Sequence, residues 1–121
     1  MIDLGLVSTP MLYHAVARFE SKGGIMMTAS HNPSGYNGFK ICAEYARPIG
    51  EETGLREIEV LFKQVPKLKK GRKIGKVSQR DVSATYAAQC LDMGTLQRPL
   101  TVVIDAGNGI CLLYTSPSPR D

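Results

Sequence analysis

Thr28-Ala29-Ser30-His31-Asn32-Pro33-Ser34-Gly35-Tyr36-Asn37-Gly38-Phe39-Lys40 is a polar stretch set between two apolar runs, Ile25-Met26-Met27 ahead of it and Phe39, Ile41 and Cys42 at its end. Apolar runs of this length, separated by proline, glycine and side-chain amides, predict a strand, a loop and a second strand. Loops held between strands are where binding and catalytic groups concentrate. Working outward, residues 39–44 continue the second strand. Ala46-Arg47-Pro48-Ile49 extends it, and Gly50 turns the chain. On the other side, residues 24–29 are almost continuously apolar, as expected of a strand covered on both faces. Leu4, Leu6 and Val7 read as the end of an earlier strand. Ser8-Thr9-Pro10 then reads as a helix start, with Thr9 as cap and Pro10 at the first helical position, where no intrahelical donor is needed. Leu12, Ala15, Val16 and Phe19 recur at helical spacing, and Gly23-Gly24 is expected to end that helix.

Farther along, Glu51 and Glu52 place negative charge at the start of a second helix. Its apolar face is Leu55, Ile58, Leu61 and Phe62, and Val65-Pro66 ends it. Eight of the fifteen basic residues fall between Lys63 and Arg80, with Gly71 and Gly75 among them. No aromatics are interleaved, so this run reads as a solvated linker rather than a nucleic-acid surface. Ile74 and Val77 suggest a brief strand, and residues 81–93 a third helix carrying Val82, Tyr86, Ala87, Cys90 and Leu91. Residues 100–105 are β-branched and read as a strand. Ala106-Gly107-Asn108-Gly109 reads as a strand-ending turn. Residues 111–121 have no periodicity and two closely spaced prolines, and read as translated cloning or adaptor sequence.

This order gives an α/β fold, a mixed sheet with helices on both faces. It divides the chain into a first domain over residues 1–66, a basic linker over 67–80, a third helix and a strand over 81–110, and a non-native tail over 111–121. The composition, 43% hydrophobic and 21% charged with a net charge of +4, is that of an ordinary globular domain. No apolar run is long enough to span a bilayer, and no signal peptide is visible. The three cysteines, Cys42, Cys90 and Cys111, have neither metal-ligand spacing nor a disulfide pattern. A cytoplasmic protein with no membrane or nucleic-acid partner is the expectation.

The central loop offers the hydroxyl of Ser30, the imidazole of His31, the amide of Asn32 and the cation of Lys40. A hydroxyl, neutral donors and one cation suit an anionic group such as phosphate. They suit acyl transfer less well, because no acid is visible to orient His31. They lack the spacing of a Walker loop. Residue types and spacing leave two readings open, phosphate handling and a plain turn. Tyr36 is expected to pack its ring on its own domain.

The string TASHNPSGYNGFK resembles the active-site serine loop of the α-D-phosphohexomutases, the phosphomannomutase/phosphoglucomutase superfamily. LGLVSTP ahead of the first helix, ARPI and ETGL at residues 46–49 and 52–55, and TVVIDAGNG at residues 101–109 carry the resemblance along residues 2–110. The ARPI and ETGL stretches are similar to bacterial phosphomannomutases in particular. The resemblance implies an isomerase in which Ser30 carries a phosphoryl group. Ser30 passes it to a sugar phosphate and takes the other phosphate back, so that mannose 6-phosphate and mannose 1-phosphate interconvert through a hexose 1,6-bisphosphate. It implies Mg²⁺ bound to phosphorylated Ser30, His31 beside the transferring group, Asn32 holding the loop or donating to phosphate, and Lys40 near the attacking or leaving oxygen. Phosphoglucomutase and phosphoglucosamine mutase are the nearest alternatives, and an inert or merely phosphate-binding fragment is the non-enzymatic one. The DGDGDR-like loop that supplies the family's metal-binding aspartates does not occur in the sequence. The expectation is therefore a fragment, most of a first domain and the opening of a second, whose partners are the remaining domains and a sugar phosphate.

Overall fold

The structure is a computed structural model that describes residues 1–30, 32–33, 35–64, 75–94 and 98–103. Helix α1, Thr9–Arg18, lies on one face of an antiparallel hairpin formed by β2, Gly23–Met27, and β3, Phe39–Ala43. The register pairs Gly23 with Ala43, Ile25 with Ile41 and Met27 with Phe39. Directly opposed residues share a face of the sheet. Gly24, Cys42, Met26 and Lys40 therefore line the α1 side, and Ile25, Ile41, Met27 and Phe39 line the other. α1 buries Leu12, Ala15 and Val16 toward the hairpin. Leu12 and Val16 pack with Cys42 in one buried cluster, which Met26 and Leu4 flank.

Gly24 is where the helix presses on the strand. A Cβ there would lie 2.6 Å from Cγ2 of Val16 and 3.1 Å from Cδ1 of Leu12. Its role is close packing rather than helix termination. α1 stops earlier, with Phe19 as C-cap and Glu20 in the left-handed region at φ 47. The Ser21 N–H donates to the Val16 carbonyl at 3.0 Å and the Glu20 N–H to the Ala17 carbonyl at 3.3 Å. This is a Schellman ending built on a glutamate instead of a glycine. At the other end Ser8 is the N-cap and makes no side-chain capping bond, so Thr9 is the first helical residue and Pro10 the second.

After β3 the chain doubles back. Tyr45 and Ala46 both have positive φ, 59 and 57, inside a short 3-10 turn over Glu44–Ala46. The Ala43 N–H donates to the Arg47 carbonyl at 2.8 Å and the Ile49 N–H to the Ile41 carbonyl at 2.9 Å, with a bridge between Cys42 and Pro48. The expected extension is thus a return segment along β3. A second 3-10 turn, Glu51–Thr53, is closed by the Gly50 N–H donating to Thr53 Oγ1 at 2.7 Å. It leads into α2, Leu55–Gln64. The apolar face expected of α2 is present but buries nothing. Leu61 is 60% and Phe62 80% exposed.

The chain then returns to its own start. β4, Ser78–Gln79, pairs in parallel with β1, Ile2–Asp3. The Arg80 N–H donates to the Asp3 carbonyl at 2.9 Å. α3, Ser83–Asp92, begins beside Val82, which is buried against Val7 and Ala15. Across the α1–α3 contact, the His14 ring bonds Gln89 Oε1 through Nδ1 and Thr85 Oγ1 through Nε2. The chain is α/β, with one parallel and one antiparallel strand pair among the described residues.

Several boundaries differ from expectation. The first strand is Ile2–Asp3, and Leu4, Leu6 and Val7 follow it without pairing; Val7 instead faces the core. β2 is covered on one face only, and Ile25 and Met27 remain 62% and 72% exposed. The brief strand near Val77 forms one residue later, over Ser78–Gln79, while Ile74 lies outside the described residues. Residues 100–103 have no strand partner among the described residues, and Val103 is 83% exposed. A β-branched run becomes a strand only when another strand satisfies its backbone groups. Residues 104–121, with the glycine turn and the tail, lie outside the described residues, as do 65–74 of the basic run.

Candidate active-site loop

The β2–β3 ladder continues one step past the strands. The Thr28 N–H donates to the Gly38 carbonyl at 2.9 Å. A Cβ on Gly38 would lie 3.0 Å from the Thr28 carbonyl oxygen, so the absence of a side chain lets the chain close here. The described residues between Thr28 and Gly38 belong to the hairpin's end loop. Two consecutive turns shape it, with the Asn32 N–H donating to the Ala29 carbonyl at 3.1 Å and the Tyr36 N–H to the Pro33 carbonyl at 3.0 Å.

Ser30 sits inside the first of these turns. It is exposed, and its φ is 54. For a residue with a Cβ, the left-handed conformation costs about 1–2 kcal/mol, so something local must hold it. The Ser30 N–H donates to Thr28 Oγ1 at 3.0 Å, a side-chain turn of the kind that serine and threonine make with the residue two positions on. Thr28 is thus part of the loop's architecture. Sequence reading quoted it in the motif and gave it no role, although a threonine two residues before a candidate nucleophile is the available signal.

Asn32 shares the turn with Ser30 and is exposed. Lys40 stands at the base of the loop on β3, opposite Met26, and is also exposed. The same hairpin end therefore carries Ser30, Asn32 and Lys40. His31 lies outside the described residues. Tyr36, expected to pack its ring on the domain, is instead 65% exposed.

A hollow of about 930 Å³ runs along the sheet past Ile2, Leu4, Phe19, Ile25, Met27 and Phe39 and includes none of Ser30, Asn32 or Lys40. It is apolar ground, unsuited to an anion. The titratable groups whose pKa is displaced also lie away from the loop. Asp81 is lowered by the N–H and hydroxyl of Ser83 at the start of α3, and Tyr86 is raised chiefly by its hydrogen bond with Cys90.

A metal fits this loop only in part. Among the described residues no group of three or more His, Cys, Asp or Glu could hold an ion. Ser30, exposed at the loop, could offer oxygen once phosphorylated, while Mg²⁺ demands close to six oxygen ligands. The other ligands would have to come from water and from outside the described residues.

A family model described as phosphoglucomutase/phosphomannomutase, alpha/beta/alpha domain I, matches residues 1–69, which include the whole hairpin and its loop. The chain is 39% identical over 108 residues to the phosphomannomutase/phosphoglucomutase of Pseudomonas aeruginosa, an alignment covering 89% of this chain and 22% of that protein. It is 39% identical over 114 residues to a phosphomannomutase of Escherichia coli, covering 90% and 25%. It is 37% identical over 113 residues to a phosphoglucomutase of Neisseria gonorrhoeae, covering 91% and 23%. The chain thus spans no more than 25% of the length of these relatives. With its exposed serine at the end of a hairpin inside the matched segment, this chain belongs to the phosphoglucomutase/phosphomannomutase family of α-D-phosphohexomutases.

Proposed function

We propose that the chain is the serine-bearing part of a cytoplasmic phosphohexomutase that interconverts mannose 6-phosphate and mannose 1-phosphate. The observation that carries this reading is Ser30 itself, exposed and held at φ 54 in the end loop of a hairpin that the family model matches throughout. A nucleophile held on a loop anchored in rigid strands meets substrate without first being ordered.

In this reading Ser30 Oγ carries the phosphoryl group. A sugar hydroxyl attacks phosphorus, the bond from phosphorus to Ser30 Oγ breaks, and a hexose 1,6-bisphosphate forms. The proton lost by the hydroxyl is balanced by one gained at Ser30 Oγ. The bisphosphate reorients, and its other phosphate returns to Ser30. Lys40 offers positive charge or a proton near the attacking and leaving oxygens. Asn32 donates to phosphate or holds the turn, and His31 serves beside the transferring group. Mg²⁺, when bound, would neutralise charge on the transferring phosphoryl group, with phosphorylated Ser30 as this chain's ligand. Metal, sugar and remaining phosphate contacts would come from further domains.

A glucose phosphate substrate is the second reading, favoured by the relatives of that name in Neisseria. A phosphoglucosamine mutase is a third, weakened by the ARPI and ETGL stretches. The test is turnover by the full-length enzyme carrying this chain, with Mg²⁺ and a hexose 1,6-bisphosphate, on mannose 6-phosphate and glucose 6-phosphate in parallel. Faster conversion of the mannose compound is the expected result. Preference for the glucose compound moves the assignment to the second reading, and turnover of neither removes both.

A further inference from the structure

We infer that Thr28 is a positioning residue for the phosphoryl-carrying serine, acting through its hydroxyl. The inference rests on the reading of Ser30 as that carrier. Thr28 belongs to two structures at once. Its backbone N–H closes the hairpin on the Gly38 carbonyl at 2.9 Å, and its Oγ1 accepts the Ser30 N–H at 3.0 Å. The first bond fixes Thr28 to the ladder, and the second passes that rigidity two residues into the loop. Ser30 needs such a holder, because it adopts φ 54 without being glycine. The turn bond from Asn32 to Ala29 spans Ser30 but makes no contact with the Ser30 N–H. Among the described residues, Thr28 Oγ1 is the partner of that N–H. Losing it would let Ser30 spread over other backbone conformations, only some of which present Oγ at the same place. The sugar phosphate would still bind, since Thr28 does not touch it in this scheme, but fewer encounters would be in line for transfer.

The test uses the full-length enzyme with three variants. Thr28→Val keeps the branched shape and removes the hydroxyl, Thr28→Ser keeps the hydroxyl and removes the methyl, and Ser30→Ala removes the carrier. Thr28→Val is expected to lower kcat by about fivefold to tenfold with KM unchanged, the factor that one ordinary hydrogen bond is worth. Thr28→Ser is expected to restore kcat to within about twofold of the parent, which a packing role for the methyl would not do. Ser30→Ala is expected to abolish turnover. Thr28→Val with the parent's kcat, or Thr28→Ser as slow as Thr28→Val, overturns the role of the hydroxyl while Ser30→Ala still reports on the carrier. Turnover by Ser30→Ala at the parent's rate overturns the carrier reading and the role of Thr28 with it. A second readout does not depend on activity. The Ser30 amide should exchange its hydrogen several-fold faster in Thr28→Val than in Thr28→Ser, and equal rates would also overturn the inference.

Discussion

A methyl group added to Gly24 would meet Val16 at a distance that real side chains do not show and would crowd Leu12. Gly24→Ala is therefore expected to destabilise the chain by about 1–3 kcal/mol through forced movement of α1. Urea unfolding should show a lower midpoint at unchanged slope. Glu20 gives the opposite prediction. It occupies a left-handed helix ending that glycine would fill without a Cβ penalty, so Glu20→Gly should raise the unfolding free energy by about 1 kcal/mol. Asp81 gives a pH dependence. Its carboxylate accepts the Ser83 N–H at 2.8 Å, and the fold lowers its pKa from the usual 3.8. A lowered carboxylate pKa means that the folded state favours the ionised form. Its contribution is complete above the unfolded value of 3.8 and disappears as pH falls through the lower folded value. Thermal melts of Asp81→Asn between neutral pH and pH 2 should show a shallower acid limb than the parent, and parallel limbs would contradict this assignment. These residue-level features were only partly legible beforehand. Gly23-Gly24 was visible as a punctuation mark, but its meaning lay in Val16 and Leu12 across the sheet. Glu20 carries no sequence signal for a left-handed ending at all.

Elements were legible where their pattern is local. The helical spacing of Leu12, Ala15 and Val16, and the strand–loop–strand pattern around Ser30, both match the structure. What was not legible is pairing. The pattern of residues 100–105 is as strand-like as that of β2, but β2 has β3 beside it while residues 100–103 have no partner among the described residues. For α2 the pattern located an apolar face, and among the described residues Leu61 and Phe62 of that face stay exposed. An amphipathic helix whose apolar stripe is left exposed gains little from it. Leu61→Lys with Phe62→Lys should leave the unfolding free energy of the 121-residue chain within about 0.5 kcal/mol of the parent and reduce self-association on a sizing column. A large loss of stability would mean that this face is already covered.

At the scale of the molecule, the described buried core is small, Val7, Leu12, Ala15, Val16, Cys42 and Val82, and beside it a broad apolar face stays open to water. Burying a side chain of this kind contributes about 1.5–3 kcal/mol, against about 1–2 kcal/mol of backbone entropy for every ordered residue. The isolated chain should accordingly be marginal and prone to associate. It should also be inactive, because the proposed carrier serine, an amide and a lysine stand on the loop with no metal-holding cluster among the described residues, and the chain spans no more than 25% of the length of its relatives. Purified 121-residue protein with Mg²⁺, mannose 6-phosphate and a hexose 1,6-bisphosphate should give no turnover above background, and measurable conversion would contradict this. The family was readable from one loop and its neighbours. The preferred sugar was not, because a hydroxyl, an amide and a lysine suit a phosphate and do not distinguish one sugar from another.

The central claim is that Ser30 carries the phosphoryl group. Its most direct test is peptide mapping by mass spectrometry of the full-length enzyme after incubation with a hexose 1,6-bisphosphate and Mg²⁺. The account predicts one phosphate, on Ser30, removed on subsequent exposure to excess monophosphate substrate and missing from Ser30→Ala. Phosphate on another residue of an active enzyme, with Ser30 unmodified, would contradict it.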